Sequence, residues 1–183
     1  MAATAPQSNI SGLPRRLVQD GIISEEVIIE AAAAARKEKM PLVAYLVAND
    51  KADSRSIAVA ASHEFGVPLL DLDAIEIDLD TLRAVDQKLL SKHRVLPLIK
   101  RGQKLFLGLS DPTNLQAIDD VKFQTSLRIE PVVVEEAKLV ERIARALEAM
   151  DTTMSSLEDD DFDLENLDVT GGDDEEDSIS RDD

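Results

Sequence analysis

A repeat of 29 residues constrains the first third of the chain more than any other feature. Residues 13–35 align with residues 42–64, and Ser24 in the first copy matches Asp53 in the second. Both residue types favour the N-cap of a helix, so each copy is predicted to be a short helix, a turn and a longer helix. One copy cannot bury its apolar stripe alone, so the two should pack together as a helical subdomain over residues 12–66. The matching apolar pairs are Leu13 and Leu42, Leu17 and Leu46, Val18 and Val47, and Ile28 and Ile57.

Residues 95–134 have the pattern of a small sheet. Residues 95–100 and 104–110 are predicted to be strands joined by a tight turn at Gly102, because glycine accepts a positive φ. Residues 128–134 are rich in β-branched side chains and are predicted to return as a third strand.

Two helices complete this second subdomain, which is predicted over residues 67–151. The first begins after Asn114, a favourable N-cap, and the second begins at residue 135 with two acids, which suit the positive end of a helix dipole. The fold class is therefore α+β, with two tandem helix-turn-helix repeats, then a three-stranded α/β subdomain, and disordered termini. The apolar sides assigned to the helices are Leu115, Ile118, Val121 and Phe123 on the first, and Leu139, Val140, Ile143, Ala144 and Leu147 on the second.

Most of the charge lies in the last 32 residues. Residues 152–183 hold fourteen acids and one Arg, or −13 of the net −17, which leaves −4 for residues 1–151. High charge without a sustained period predicts a disordered acidic tail, and residues 1–11 are also predicted to be disordered. The tail is interpreted as a solvated linker, with a short partner-binding motif as the alternative. An acidic chain argues against nucleic-acid binding, and the lack of a run of about 18 apolar residues argues against direct membrane insertion.

The segment LGLSDPTNLQAIDDVKF, residues 107–123, with VLPL before it and IEPVVV after it, resembles the N-terminal domain of secretion and pilus assembly ATPases (PilB/GspE family, MshEN-like). The resemblance covers roughly residues 12–150. It implies a non-catalytic regulatory or docking domain of a type IV pilus extension ATPase. This domain would be cytoplasmic, and partners would hold it at the inner membrane. The implied alternative is a docking domain of a type II secretion ATPase.

The resemblance also implies partners and an assembly. The partner would be a PilZ-type adaptor protein or an inner-membrane pilus platform protein. The full-length protein would be hexameric, whereas this fragment would be monomeric.

The phosphate-binding motif of an ATPase, G-x-x-x-x-G-K-[ST], is missing, since none of the seven glycines begins it. The chain is therefore not predicted to be an enzyme or to need a cofactor, and ATP and Mg²⁺ would belong to a motor domain outside it. His63 and His93 have no partner at metal-ligand spacing, so no metal site is predicted.

Some members of the family bind cyclic di-GMP through two tandem motifs that resemble R-L-G-x-x-L-V-x-x-G-x-I, each with a Gln at the end of the second helix. Here Gly12 begins the segment that replaces the first Arg-Leu-Gly, and Ala35 stands at the first Gln position. In the second copy Pro41 begins the segment that replaces Arg-Leu-Gly, Asp50 replaces the Gly and Glu64 replaces the Gln. Loss of Arg removes the group that grips phosphate, so weak or no binding is predicted, with a direct cyclic di-GMP sensor as the rival hypothesis. The degenerate motif positions are Gly12, Leu17, Gly21, Ala35, Leu46, Asp50 and Glu64.

The first repeat carries more apolar residues than one core stripe needs. Val27, Ile28 and Ile29 are consecutive, so they cannot all face one core. The surplus predicts either a protein docking patch or packing against the α/β subdomain. The candidate partner-binding residues are Leu13, Leu17, Ile22, Val27 and Ile29.

Overall fold

A computed structural model describes the backbone of residues 10–165 and the side chains of residues 10–152. Residues 1–9 and 166–183, which hold most of the predicted N-terminal disorder and the distal part of the acidic tail, lie outside the described residues. The helical part comprises α1 (Leu13–Gln19), α2 (Glu25–Lys37), α3 (Leu42–Ala48) and α4 (Ser54–Phe65). The rest comprises a short 3-10 turn (Leu72–Ala74), α5 (Leu79–Arg83), α6 (Gln87–His93), β1 (Leu96–Arg101), β2 (Lys104–Leu109), α7 (Leu115–Thr125), β3 (Arg128–Val133) and α8 (Glu136–Glu165).

The two copies of the 29-residue repeat form equivalent backbone hydrogen bonds. The amide of Ile22 donates to the carbonyl of Leu17 at 3.0 Å, and 29 residues later Lys51 donates to Leu46 at 2.8 Å. Both predicted caps also form. The Ser24 side chain accepts from the amide of Val27, and that of Asp53 accepts from the amide of Ser56. Local sequence rules thus specify both copies without reference to the rest of the chain.

The three strands form one mixed sheet in the order β1-β2-β3. The β1–β2 hairpin is antiparallel, with an irregularity between Pro97 and Ile99, whereas β2 and β3 are parallel and joined through α7. Parallel neighbours need such a crossover helix, because a tight turn can join only antiparallel strands. The α+β class is confirmed.

Two apolar cores lie side by side. One is formed by the four helices of the repeats and includes Leu17, Ile28 and Leu46. The other is formed by the sheet with α5 to α8. The strand β3 contributes to both, since Val133 packs among the helical repeats. Its neighbours Val132 and Val134 pack in the core of the sheet.

Polar contacts also join the two parts. The guanidinium of Arg55 on α4 lies 3.2 Å from the carboxylate of Glu135, and the Ser54 hydroxyl accepts from the amide of Ala137 at 3.0 Å. Lys138 lies within 2.7 Å of the carboxylates of Asp71 and Asp73, and these hydrogen bonds raise the pKa of Lys138 above its ordinary value. The start of α8 is therefore fastened both to α4 and to the segment that precedes α5.

The apolar side predicted for α7 is wrong in part. Leu115 is 65% exposed and Phe123 is 90% exposed. Ala117 and Val121 are the buried residues of this helix. The helix turns this narrow face to the sheet. Leu115 and Phe123 each lie two residues from it, about 200° around the helix, so both project into solvent.

The predicted side and end of α8 also need correction. Val140 is 44% exposed, and Ala144 is exposed as well. Leu139 and Ile143 are buried as predicted, and Ala146, which was not predicted, is buried with them. The helix runs to Glu165, beyond the boundary at residue 151, because no glycine or proline occurs between its start and Gly171 to end it. Among the helices that the structure describes, none is both long and apolar enough to cross a bilayer.

Candidate functional site

The two degenerate nucleotide motifs occupy equivalent places in the repeats. Gly21 and Asp50 follow α1 and α3, with φ of 67° and 50°, and their amides donate to Val18 and Val47 at 3.1 and 3.2 Å. Asp50 thus adopts the left-handed turn for which glycine is the favoured residue. The second copy therefore has the same turn as the first, but with the carboxylate of Asp50 on it.

Two substitutions, one at each of these turns, should change the free energy of unfolding in opposite directions. Asp50→Gly should raise the free energy of unfolding by up to about 1 kcal/mol, because a side chain in this conformation is strained. Gly21→Ala should lower it by about 1 kcal/mol for the same reason. No atom lies within 4 Å of the position of an added Cβ, so no steric clash would contribute. Urea unfolding of the two variants would measure both changes, and shifts of equal sign would contradict this account.

Several predicted site residues belong to the helical core and not to a surface. Leu17 and Leu46 have no exposed area, and Ala35 is 2% exposed. Leu13, also a predicted partner contact, is 4% exposed. The assignment of Leu13 and Leu17 to a partner surface is therefore wrong, because the same leucines form the stripe that joins the two repeats.

A groove separates the N-terminal ends of the repeats from the loop between β2 and α7. One cavity of about 250 Å³ is lined by Pro41 and Leu42 on one side and by Ser110 and Asp111 on the other. A neighbouring cavity of about 260 Å³ is lined by Gly12 together with Leu42 and Asp111. The first residues of both motifs thus face the SDPTN segment that carries the family resemblance. Sequence reasoning did not bring these segments together, because the groove depends on how the two subdomains pack.

The polar groups of this loop bind mainly to each other. The Asp111 carboxylate accepts from the amide and the hydroxyl of Thr113 at 2.9 and 2.6 Å. The Asn114 side chain accepts from the amide of Ala117 and so caps α7, as predicted. These bonds hold the loop in its turn and occupy both donors of Thr113.

The basic side chains near the groove also have internal partners. The His93 ring nitrogen lies 2.7 Å from the carboxylate of Asp120, and this bond lowers the pKa of Asp120. Arg94 lies 2.5 Å from the buried carboxylate of Glu136, although Arg94 Nε and Glu136 Oε2 have no hydrogen-bond partner. His93 has no partner at metal-ligand spacing in the sequence, but in the structure it pairs with Asp120, which is 27 residues away. Among the described residues no group of three candidate ligands could hold a metal ion.

The replaced Gln position of the second motif faces a cation of the first. Glu64 lies 3.9 Å from the guanidinium of Arg15, a mostly exposed side chain that follows Gly12 by three positions. The carboxylate offsets the charge of Arg15, and the adjacent Arg16 pairs with Asp20, so both arginines near the start of the motif have an acidic partner. These pairs make the site less attractive to an anionic nucleotide.

The surplus apolar residues of the first repeat separate into two kinds. Val27 and Ile22 are half-buried and pack against the helical core. Ile29 is 43% exposed, on the solvent side of α2. Val59 on α4 is 36% exposed and lies next to Ala58, the residue that is equivalent to Ile29 in the second repeat. The sequence prediction missed the exposed pair on α7, Leu115 and Phe123, because it had assigned both to the core.

Comparison with known proteins identifies the family to which the chain belongs. The model of the MshEN domain matches residues 65–153, which extend from the end of α4 into α8. The type IV pilus assembly ATPase PilB of Pseudomonas aeruginosa is 38% identical over 164 residues, or 90% of this chain. The chain belongs to the PilB/GspE family as an MshEN-type N-terminal domain. The PilB of Myxococcus xanthus is 30% identical over 129 residues, or 70% of the chain.

Solved structures of MshEN-type domains share the fold. The structure of MshE with cdg (cyclic di-GMP) has a TM-score of 0.58 and 23% identity, over 75% of this chain and 99% of that one. The N-terminal domain of XpsE has a TM-score of 0.60 and 20% identity, over 75% and 98%. The MshEN-type chain covers 29% of the Pseudomonas PilB and 23% of the Myxococcus PilB. It therefore corresponds to roughly a quarter of such an ATPase.

Proposed function

We propose that this MshEN-type domain is a non-catalytic docking domain of a type IV pilus extension ATPase. It would receive a regulatory or platform protein on the helices of its first repeat. The partner is a PilZ-type adaptor protein or an inner-membrane pilus platform protein, and through it the cytoplasmic protein is held at the inner membrane. The full-length ATPase is hexameric in this proposal, and the domain alone is a monomer.

The observation that carries this proposal is the solvent-facing Ile29 on a repeat whose nucleotide contacts have been replaced. An aliphatic side chain that is 43% exposed gains free energy when a partner covers it. The positions that would grip an anionic nucleotide hold Gly12, Asp50 and Glu64, two of which are acidic. The first repeat thus retains an exposed apolar side chain, whereas the polar residues that would contact a nucleotide have been replaced. The resemblance to PilB proteins at 38% and 30% identity favours a pilus over a secretion system.

Direct binding measurements test the docking proposal. The chain should be titrated by calorimetry with a PilZ-type adaptor and separately with the cytoplasmic part of the platform protein from the same organism. We expect saturable binding of one of them, with a negative heat-capacity change because apolar surface is buried. Absence of binding to both proteins would contradict the proposal.

A direct cyclic di-GMP sensor is the second candidate function. One observation favours it, since Gly12 and Pro41, at the start of the two motifs, line adjoining cavities of the groove. The related MshE was solved with that ligand. Against it stand the internal pairing of His93 and Arg94 and the acid at Glu64.

We expect cyclic di-GMP to bind no more tightly than about 100 μM, a free energy weaker than about −5.5 kcal/mol. The basic side chains that line the groove, His93 and Arg94, already pair with Asp120 and Glu136, which leaves them less able to hold its phosphates. Calorimetry with the wild-type chain and with Glu64→Gln, which restores the motif residue, would measure this. Micromolar affinity of the wild type, abolished by a substitution at Asp111, would make the sensor the better assignment.

A further inference from the structure

A row of like charges crosses the hairpin end of the sheet. Arg101 at the end of β1 lies opposite Lys104 at the start of β2, and Lys104 lies opposite Arg128 at the start of β3. All three residues are exposed. Residues in register project to the same face of a sheet, so the three cations stand side by side. Like charges in this position disfavour strand pairing unless an anion neutralises them.

Lys100 precedes Arg101 on β1 and projects from the other face of the strand at the same end of the sheet. It is also exposed, and we name Lys100, Arg101, Lys104 and Arg128 the basic corner. The nearest acid is Glu130, whose carboxylate lies 3.8 Å from the ammonium of Lys104. Within residues 10–152, the other three cations of the basic corner have no ion pair. Because residues 1–151 carry a net charge of −4, the basic corner is a local reversal of sign.

Several cations elsewhere on the domain are compensated by a helix dipole or an ion pair. Arg36 and Lys37 lie in the last turn of α2, where the negative end of the helix dipole attracts them. Arg16 pairs with Asp20 four residues later, and Arg55 pairs with Glu135. The basic corner lies at strand ends, which provide no comparable dipole. It is therefore an exposed cluster of cations in which only Lys104 has an ion pair with a described residue and no helix dipole contributes.

We propose that the basic corner binds the acidic tail of the same chain, residues 173–183. This tail contains seven acids and one Arg, and five of the acids are consecutive at residues 173–177. Helix α8 ends at Glu165. An extended chain spans about 3.5 Å per residue, so residues 173–183 can reach points about 28 to 60 Å from the end of α8. A tether of this length raises the effective concentration of the acids at the sheet.

The contact holds the segment that follows α8 against the hairpin end of the sheet. It depends on exposed charges, so it weakens as salt screens them. An acidic surface of another protein that binds the basic corner displaces the tail. The contact is therefore a reversible restraint on the direction in which the chain leaves the domain.

Paramagnetic broadening in the whole chain tests this proposal. The sequence has no cysteine, so Ser178→Cys provides a single site for a nitroxide label. Amide intensities are compared with the label oxidised and reduced. At low salt we expect the amides of residues 100–104 and 128 to lose most of their intensity, and at high salt to regain it. Lack of broadening at these amides at low salt would overturn the proposal.

Matched variants identify the cations involved. Lys100→Glu with Arg101→Glu should abolish the broadening, whereas Lys37→Glu with Lys39→Glu, which makes the same charge change on exposed residues, should leave it intact. If charge reversal disturbs the sheet, the neutral Lys100→Gln with Arg101→Gln should reduce the broadening in a folded domain. Broadening that survives in the hairpin variants, or is lost in the α2 variant, would overturn the proposal.

Two further outcomes would assign the basic corner to another occupant. A mixture of ¹⁵N-labelled chain and spin-labelled unlabelled chain reports contacts between copies. Equal broadening in this mixture would show that the tail belongs to a second copy. Binding to phosphatidylglycerol vesicles that requires the hairpin cations, without any tail contact, would show that the surface serves a lipid. Either result overturns the assignment to the tail of the same chain.

Discussion

Replacing Ile29 with glutamate is expected to weaken partner binding by about 2–5 kcal/mol, or between about 30-fold and about 5,000-fold in Kd. The introduced carboxylate would lose its water on binding and would find no cation opposite it. The domain should still fold, because Ile29 is 43% exposed, and exposed substitutions usually change stability by about 0.5 kcal/mol or less. Calorimetry gives the affinity, and thermal unfolding of the same sample gives the stability.

The second repeat supplies a matched control for this experiment. Val59 on α4 is 36% exposed, so Val59→Glu introduces the same charge on an aliphatic side chain of similar exposure. We expect Val59→Glu to bind the partner normally. Normal binding by Ile29→Glu together with loss of binding by Val59→Glu would move the docking site to the second repeat, near Tyr45 and Val59. A collapse of the melting temperature in Ile29→Glu would show that this residue belongs to the core.

Leu46→Ala is expected to lower the free energy of unfolding by about 2–5 kcal/mol. Leu46 has no exposed area in the helical core, so the deleted methyl groups leave a cavity that the short helices close only in part. For a domain of this size the loss is a large share of the total stability. Urea unfolding would measure the change.

This result also tests why leucine stands at a degenerate nucleotide-motif position. Ile29→Ala, an aliphatic truncation on the surface, is the control and should change stability by about 0.5 kcal/mol or less. If Leu46→Ala leaves stability unaltered and changes only ligand binding, the leucine serves a ligand and not the core. The same reasoning applies to Leu17, its equivalent in the first repeat, which is also fully buried.

The features that sequence could predict are those set by neighbouring residues. Ser24 and Asp53 each accept a hydrogen bond from the amide three residues later and so cap α2 and α4. Gly66 ends α4 with a φ of 64°. The strands β1 and β2 follow from a glycine turn between two apolar runs, and their antiparallel pairing follows from that turn. Each of these interactions spans only a few residues, so the sequence pattern contains it in full.

The features that sequence missed depend on how distant segments pack. On α7 the pattern allows two overlapping stripes, and only the position of the sheet decides that Ala117 is buried and Phe123 exposed. The bond between His93 and Asp120 joins α6 to α7 and has no signature in residue spacing. The groove exists because the repeats meet the loop before α7. A single sequence shows which residues are present for such a site, but it does not show which distant segments pack together to form it.

The alternation of side chains along β3 has a mechanical consequence. Val133 is enclosed by the helical repeats, whereas Val132 and Val134 on either side are enclosed by the sheet and its helices. The amide of Leu70 also donates to the carbonyl of Val133, and the amide of Val133 donates to Pro68. A hinge at this place would have to withdraw Val133 from a close-packed interior. We therefore expect the helical repeats and the α/β subdomain to move as one rigid body. A force applied to α2 would then rotate α8 with it.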